Sequence, residues 1–384
     1  MANLFWEKVR ESQDIIIFGY TEIGQVLFEK IRDEYTNKMI CFCDSNPEKC
    51  IVTPNYEVIS PREAVSKHSN AVFILTSYYY REDMREQLKV LGVAEDQILT
   101  EFPEDIKLQH VEIMQARHSK KMERFHFDVD ISRHCNLNCA GCAHFSPLSE
   151  KSFYNLSMYD HDVKRLGELF HHDASRIQIL GGEPLLNPNV TEYCRIAREG
   201  FPSAEIVLLT NGILLKDMDN LFWQNCNRFD VVIAVTRYPI NIDYEYIEDL
   251  VCRHNIRYKI LGVYGAQLRK ERCKFRLYAM DLNGLSDPKD NFLNCPMSNR
   301  CINLKNGRLY TCATIPCIDL FATFFNLNIF ATDDDSIDIY GTDSADEILE
   351  FLARPVPFCR YCDIKKHIFR PFGISKKSIK EWTA

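Results

Sequence analysis

No uninterrupted apolar run approaches the ~18 residues that a membrane span needs. The longest, Ile15–Phe18, Ala71–Leu75 and Val231–Val235, have the length of buried strands. Basic charge is not in excess either, since 46 lysines and arginines face 54 aspartates and glutamates, a net charge of −8, with no dense basic run. That balance argues against a surface for nucleic acid or anionic lipid. The opening Met1-Ala-Asn-Leu-Phe-Trp-Glu-Lys has no basic stretch leading into an apolar core, so a cytoplasmic protein is expected. Internal repeats and low-complexity tracts are missing. Cysteine, by contrast, is plentiful: 16 among 384 residues. This is too sparse for a disulfide scaffold and too rich for chance in a reducing compartment, where such cysteine is spent on metal.

The first ~105 residues alternate between buried strands and amphipathic helices, as in a doubly wound parallel sheet. Gly19-Tyr-Thr-Glu-Ile-Gly24 falls at the first strand-to-helix turn, and Asp44 ends the second strand, where a ribose-binding acid of a dinucleotide fold would stand. The middle glycine is missing and Glu22 would repel a pyrophosphate, which argues against NAD and leaves a docking or small-ligand domain as the alternative. Through Ile17-Phe-Gly-Tyr and Cys43-Asp-Ser-Asn-Pro this stretch resembles the Rossmann-like modules attached to some sugar-modifying transferases. Residues 106–124 are polar and predict a linker helix. A second strand–helix series over 125–290 predicts a partial (β/α)6 barrel, whose chemistry belongs at the C-terminal strand ends. From 291 to 384 the texture changes to short strands, turns and clustered cysteines.

Directly after the first barrel strand comes Cys135-Asn-Leu-Asn-Cys139-Ala-Gly-Cys142. Three thiolates in a C-x3-C-x2-C loop can hold three irons of a [4Fe–4S] cube and leave the fourth open; a zinc site completed by His134 or His144 is the alternative. Gly181-Gly182-Glu183-Pro184 closes the second strand and Thr210-Asn211-Gly212 a later one. Together these motifs resemble the radical S-adenosylmethionine (SAM) superfamily, a likeness covering about residues 125–285. It implies that Gly181, Gly182, Glu183 and Pro184 hold the methionine amino group, and that Thr210 and Asn211 approach the ribose. One position departs from the family: Gly141 stands where an aromatic usually contacts adenine, so that packing must come from elsewhere, Phe145 being one candidate. His144 is close enough to tune the cluster or touch substrate. Arg237 ends the fourth barrel strand at the catalytic face and is expected either to clamp the SAM carboxylate or a substrate anion, or to form a solvent-facing salt bridge.

Cys295, Cys301, Cys312, Cys359 and Cys362 follow a pattern that resembles the twitch domain, the shorter relative of the SPASM domain, which carries an auxiliary [4Fe–4S] cluster; a zinc ribbon is the alternative. Five cysteines compete for four positions, with Cys301 as the alternate ligand. No cysteine follows Cys362, so a second auxiliary cluster lacks ligands. Cys317 is expected to be structural, or else a hydrogen-atom donor. Cys41, Cys43, Cys50, Cys194, Cys226, Cys252 and Cys273 lack ligand spacing and read as small hydrophobes. The resemblance implies a radical SAM oxidoreductase or epimerase acting on a small polar metabolite, a sugar or sugar nucleotide, and served by a flavodoxin- or ferredoxin-type reductant. A peptide- or protein-modifying (RiPP maturase-like) enzyme is the alternative, and a non-catalytic metal scaffold the third reading.

Overall fold

The computed structural model of this chain describes residues 2–77, 81–261, 274–366 and 369–383. The chain divides into two units, one on Met1–Ala116 and the other on Arg117–Gly262 and Lys270–Ala384. Cys273 lies outside the described residues.

In the first unit the strands are β1 (Asp14–Phe18), β2 (Met39–Cys43), β3 (Val58–Ile59), β4 (Val72–Leu75) and β5 (Ile98–Leu99). They pair in parallel in the order β3-β2-β1-β4-β5. Near-continuous apolar runs are what such a sheet demands, because helices cover both faces. Ile15, Ile17, Phe42, Val72 and Ile74 fill one side, and Ile16, Phe18, Phe73 and Leu75 the other.

The second unit contains β6 (His126–Ser132), β7 (Arg176–Gly181), β8 (Glu205–Thr210), β9 (Val231–Thr236), β10 (Arg257–Leu261), β11 (Lys274–Arg276), β12 (Asn303–Lys305), β13 (Arg308–Tyr310), β14 (Ser336–Asp338) and β15 (Phe369–Pro371). Eight of them form one open sheet in the order β10-β9-β8-β7-β6-β12-β13-β14. Six neighbours are parallel, but only five belong to strand–helix units; the sixth, β12, comes from the C-terminal region and joins β6. The sheet therefore runs across residue 290, where the sequence change of texture falls. β11 and β15 pair separately.

Alternation along these strands separates two faces. Phe127, Val129, Ile131, Ile177, Ile179, Ile206, Leu208, Ile233 and Val235 pack into the main core. On the opposite face β6 presents Asp128, Asp130 and Ser132, whereas β8 and β9 present the small apolar cluster Val207, Val232 and Ala234. One face is thus polar at one end and apolar at the other.

Candidate functional site

The three thiols Cys135, Cys139 and Cys142 sit half-buried in the loop that follows β6. The far C-terminal segment holds that loop through backbone bonds: Ala140 N–H donates to the Gly373 carbonyl (2.8 Å) and Ser375 N–H to the Asn138 carbonyl (2.8 Å). The Trp382 indole N–H donates to the Cys142 carbonyl at 2.8 Å. Gly141 has φ 68°, and a Cβ there would lie 2.8 Å from the Glu381 carbonyl oxygen. An aromatic side chain at 141 is excluded because the tail backbone occupies its place. Phe145 does not substitute for it, since it is 1% exposed and packs on Phe321 and Trp382. Burial pushes the Cys135 thiol up to about 11, and Cys139 is raised as well. Those two thiols are held in the neutral form near pH 7, and a bound metal would supply the charge that makes them thiolates.

Two further strand ends are tied to this loop. Gly182 N–H donates to the Ser132 carbonyl (2.6 Å) and Glu183 N–H to the His134 carbonyl (3.0 Å). A Cβ on Gly182 would meet that same His134 oxygen at 2.2 Å, so only glycine allows the approach. The buried Glu183 carboxylate accepts the Thr210 hydroxyl (2.7 Å), Leu185 N–H (3.1 Å) and Asn211 N–H (3.0 Å). Burial nevertheless pushes this carboxyl up to about 7. Asn211 then donates from Nδ2 to Asn136 Oδ1 at 2.8 Å, inside the cysteine loop. Pro184 opens a short turn, Pro184–Leu186, that carries the chain away from β7. The spacing of the motifs in sequence reflects this one network.

Cys295, Cys312, Cys359 and Cys362 line a single, almost wholly apolar cavity, and Cys301 is not among its lining residues. Asn291 organises the C-x2-C turn, donating to the carbonyls of both Cys359 (2.8 Å) and Cys362 (2.7 Å). Buried Asp335 fixes its other side by accepting Phe358 N–H at 2.6 Å. Burial raises the thiols of Cys312, Cys359 and Cys362, Cys312 to about 12. A mononuclear zinc would draw its sulfur ligands to within about 3.8 Å of one another. Among the described residues, neither the three loop cysteines nor any three of this quartet lie within 4.8 Å of one another. Both donor sets are all-thiol, the chemistry that iron–sulfur clusters use.

On the polar face, His144 Nδ1 stands 2.8 Å from Asp130, the Cys317 thiol donates to the same carboxylate (3.3 Å), and Asn303 Nδ2 donates to its other oxygen (3.3 Å). Burial opposes charge on both Asp130 and His144, but each favours the other's: the carboxylate is held low and the imidazole well above its usual range. Asp130 and Asn303 were missed by motif reading; the signal was an acid in strand alternation among Phe127, Val129 and Ile131. Arg237 lies elsewhere. It continues the helix-facing parity of Ile233 and Val235, is 2% exposed, pairs with Glu248 at 3.1 Å and lies over Tyr244. The ion pair is buried and not the solvent-facing salt bridge expected. Near Cys139 instead is a trio of rings, Tyr238, Phe275 and Phe372, with centroids 5.0–5.7 Å apart.

In the first unit, the Asp44 carboxylate already accepts Tyr20 N–H (2.9 Å) and Asn46 N–H (2.9 Å), with Lys49 Nζ at 3.4 Å. Thr21 caps Gly24 N–H at 3.1 Å and donates to Thr76, which itself bonds the Gly19 carbonyl. A dinucleotide would have to displace these partners.

Residues 129–237 match the Radical SAM superfamily, and residues 11–99 match the family described as C2185-like, N-terminal. A stretch of 90 residues, 23% of this chain, is 32% identical to a GTP 3',8-cyclase of Helicobacter pylori, of which it spans 28%. Another of 98 residues, 24% of the chain, is 35% identical to 18% of a 7,8-dihydro-6-hydroxymethylpterin dimethyltransferase of Methanocaldococcus jannaschii. The chain thus matches less than a third of these curated relatives. Among solved structures, BtrN in complex with AdoMet and 2-DOIA aligns with 64% of this chain and 94% of its own, at 15% identity and TM-score 0.38. Among the described residues, no helix is long and apolar enough to cross a membrane.

Proposed function

We propose that this chain, which carries a radical SAM domain with a [4Fe–4S] cluster and SAM as its cofactors, is an enzyme that removes hydrogen from a small polar metabolite, a sugar or sugar nucleotide, in order to oxidise or epimerise it. The observation that carries the reading is the network joining Glu183, Thr210 and Asn211 to Asn136 between two half-buried cysteines. Cys135, Cys139 and Cys142 would hold the SAM-binding cluster. Gly181, Gly182, Glu183, Pro184, Thr210 and Asn211 would cradle SAM. Glu183 has three of about four acceptor positions in use, so one remains for an ammonium group. Cys295, Cys312, Cys359 and Cys362 would hold an auxiliary cluster. When bound, the reduced cluster and SAM supply a 5′-deoxyadenosyl radical able to take hydrogen from an unactivated C–H bond.

What the chain itself contributes is positioning and exclusion of water. Asp130, Asn303 and His144 offer hydrogen bonds to hydroxyl groups from one end of the sheet face, and Val207, Val232 and Ala234 give an apolar wall at the other. A polyol ring, polar at its edge and apolar across its C–H faces, suits that division. The Cys317 thiol beside Asp130 distinguishes two outcomes. As a hydrogen-atom donor it would return hydrogen to the substrate radical and give epimerisation, the sulfur-centred radical then being restored to the thiol by one electron from a flavodoxin- or ferredoxin-type reductant and one proton from solvent. If it is structural, the substrate radical would lose one electron to the auxiliary cluster that Cys295, Cys312, Cys359 and Cys362 would hold, and one proton to solvent, and the product is oxidised. The test is 5′-deoxyadenosine formation across a panel of sugar nucleotides and peptides. Acceleration by a sugar nucleotide, with solvent deuterium entering the product only when Cys317 is present, supports epimerisation; acceleration by peptides alone overturns the substrate assignment.

A further inference from the structure

A parallel doubly wound sheet carries apolar residues on both faces, because each face is covered by helices. At the N-terminal end of the first unit's sheet that rule is broken on one face. Asp14 alternates with Ile16, which pairs with Cys41, and Glu57 immediately precedes Val58, the partner of Phe42. Cys41 and Glu57 therefore stand side by side, with Asp14, the partner of Met39, one same-face step away on the next strand, on the face that Ile16, Phe18 and Ile59 otherwise make apolar. The helix Pro61–Lys67 passes over them and ends in His68. Backbone bonds on both sides fix His68: its N–H donates to the Ala64 carbonyl (2.9 Å), and its carbonyl accepts Ala71 N–H (3.1 Å).

One ligand atom each from Cys41, Glu57 and His68 lies within 4.8 Å of the other two. His68 Nδ1 is 2.9 Å from Asp14 Oδ2, which leaves Nε2 as the nitrogen for a ligand. A carboxylate on the far nitrogen is the arrangement that orients a metal-binding histidine and raises its basicity. Glu63 and Lys67 also face the group from the helix, but they are paired with each other at 2.8 Å. Burial and the negative charge of Glu57 push the Cys41 thiol up to about 12, with Lys67 acting the other way.

We propose that Cys41, Glu57 and His68 bind a zinc ion, with Asp14 as the positioning carboxylate. One sulfur, one nitrogen and one oxygen donor make a borderline-soft set that suits zinc, with the fourth tetrahedral position left for water. His68 and Glu57 are half-buried, so the ion reaches the site from the helix end without disturbing the core below Cys41. Cys41 also packs in the apolar cluster of that face, as expected of a small hydrophobe; the proposal adds a ligand role for its sulfur.

The test uses the full chain with its iron–sulfur clusters reconstituted, then equilibrated with zinc and desalted. Elemental analysis is expected to give about one zinc per chain beyond iron. Zinc content is expected to fall at least tenfold in Cys41→Ser and in Glu57→Gln, and Asp14→Asn to weaken affinity by about 10–100-fold. Glu57→Gln keeps shape and is half-buried, so it reports even if Cys41→Ser folds poorly. Zinc is also expected to raise the unfolding midpoint of the wild type and not of Glu57→Gln. Cobalt in place of zinc is expected to add a sulfur-to-cobalt band that Cys41→Ser lacks. Absence of stoichiometric zinc would overturn the proposal. So would zinc that survives in both variants, or that disappears only when Cys135, Cys139 and Cys142 are replaced.

Discussion

Gly141→Ala tests how the C-terminal segment acts on the cysteine loop. The alanine would keep φ near 68°, which costs an L-residue about 1–2 kcal/mol. Its Cβ would lie 2.8 Å from the Glu381 carbonyl oxygen, a backbone atom that cannot swing aside as a side-chain tip can. Relief requires the tail to move, which weakens the bonds of Trp382 to Cys142 and of Ala140 to Gly373, each worth about 1 kcal/mol. The sum is about 2–4 kcal/mol. In a unit of this size that lowers the unfolding midpoint by about 4–16 °C. The assay is thermal unfolding of iron-loaded protein under argon, followed by the rate of iron release to a chelator. A lower midpoint with faster release is expected. An unchanged midpoint and unchanged release would refute the claim that the tail backbone fixes this loop and dictates glycine at 141.

Trp382→Phe keeps the ring in the core but loses the indole bond to Cys142, and should cost about 1–2 kcal/mol in denaturant unfolding while hastening iron loss. Asn291→Leu removes both donors that shape the Cys359–Cys362 turn; it should reduce iron by about half while SAM cleavage at the other cluster persists, as read by iron counting and product analysis. Asp162→Ala leaves the Tyr154 and Tyr340 hydroxyls and Gly307 N–H without their shared acceptor, a loss of about 3 kcal/mol measurable by chemical denaturation. Asp128 is pushed up to about 7 by burial, whereas an unfolded aspartate titrates near ~3.9. The folded state holds the extra proton, so this group's stabilisation is full below pH ~4 and is lost as pH rises through about 7. Asp128→Asn should flatten that slope and raise stability at pH 8 by about 2–4 kcal/mol.

Local patterns carried much of this in the sequence. The C-x3-C-x2-C spacing, the glycines at 181 and 182 and the Thr210-Asn211 pair are legible because each belongs to one turn at one strand end. Arg237 was misplaced by its strand-end position alone: counting by twos from Ile233 and Val235 puts it on the helix side, where Glu248 meets it. The contact of residues 138–142 with 373–382 was not legible, because backbone pairing across more than 230 positions imposes no periodicity on either partner. Gly141 was visible as a departure, but its cause lay in that remote tail. β12 has three residues, too few to show a period, so its place beside β6 could not be foreseen. The buried polar supports, Asn291, Asp335 and Asp130, carry no motif. Only their contacts give them a role.

The most direct test of the radical SAM assignment is anaerobic reconstitution followed by iron and sulfide counting and an assay of 5′-deoxyadenosine release from SAM under dithionite. About eight irons per chain with SAM cleavage, falling to about four irons and no cleavage when Cys135, Cys139 and Cys142 are all replaced by alanine, is the predicted result. Little iron, zinc in its place and no cleavage would contradict the account.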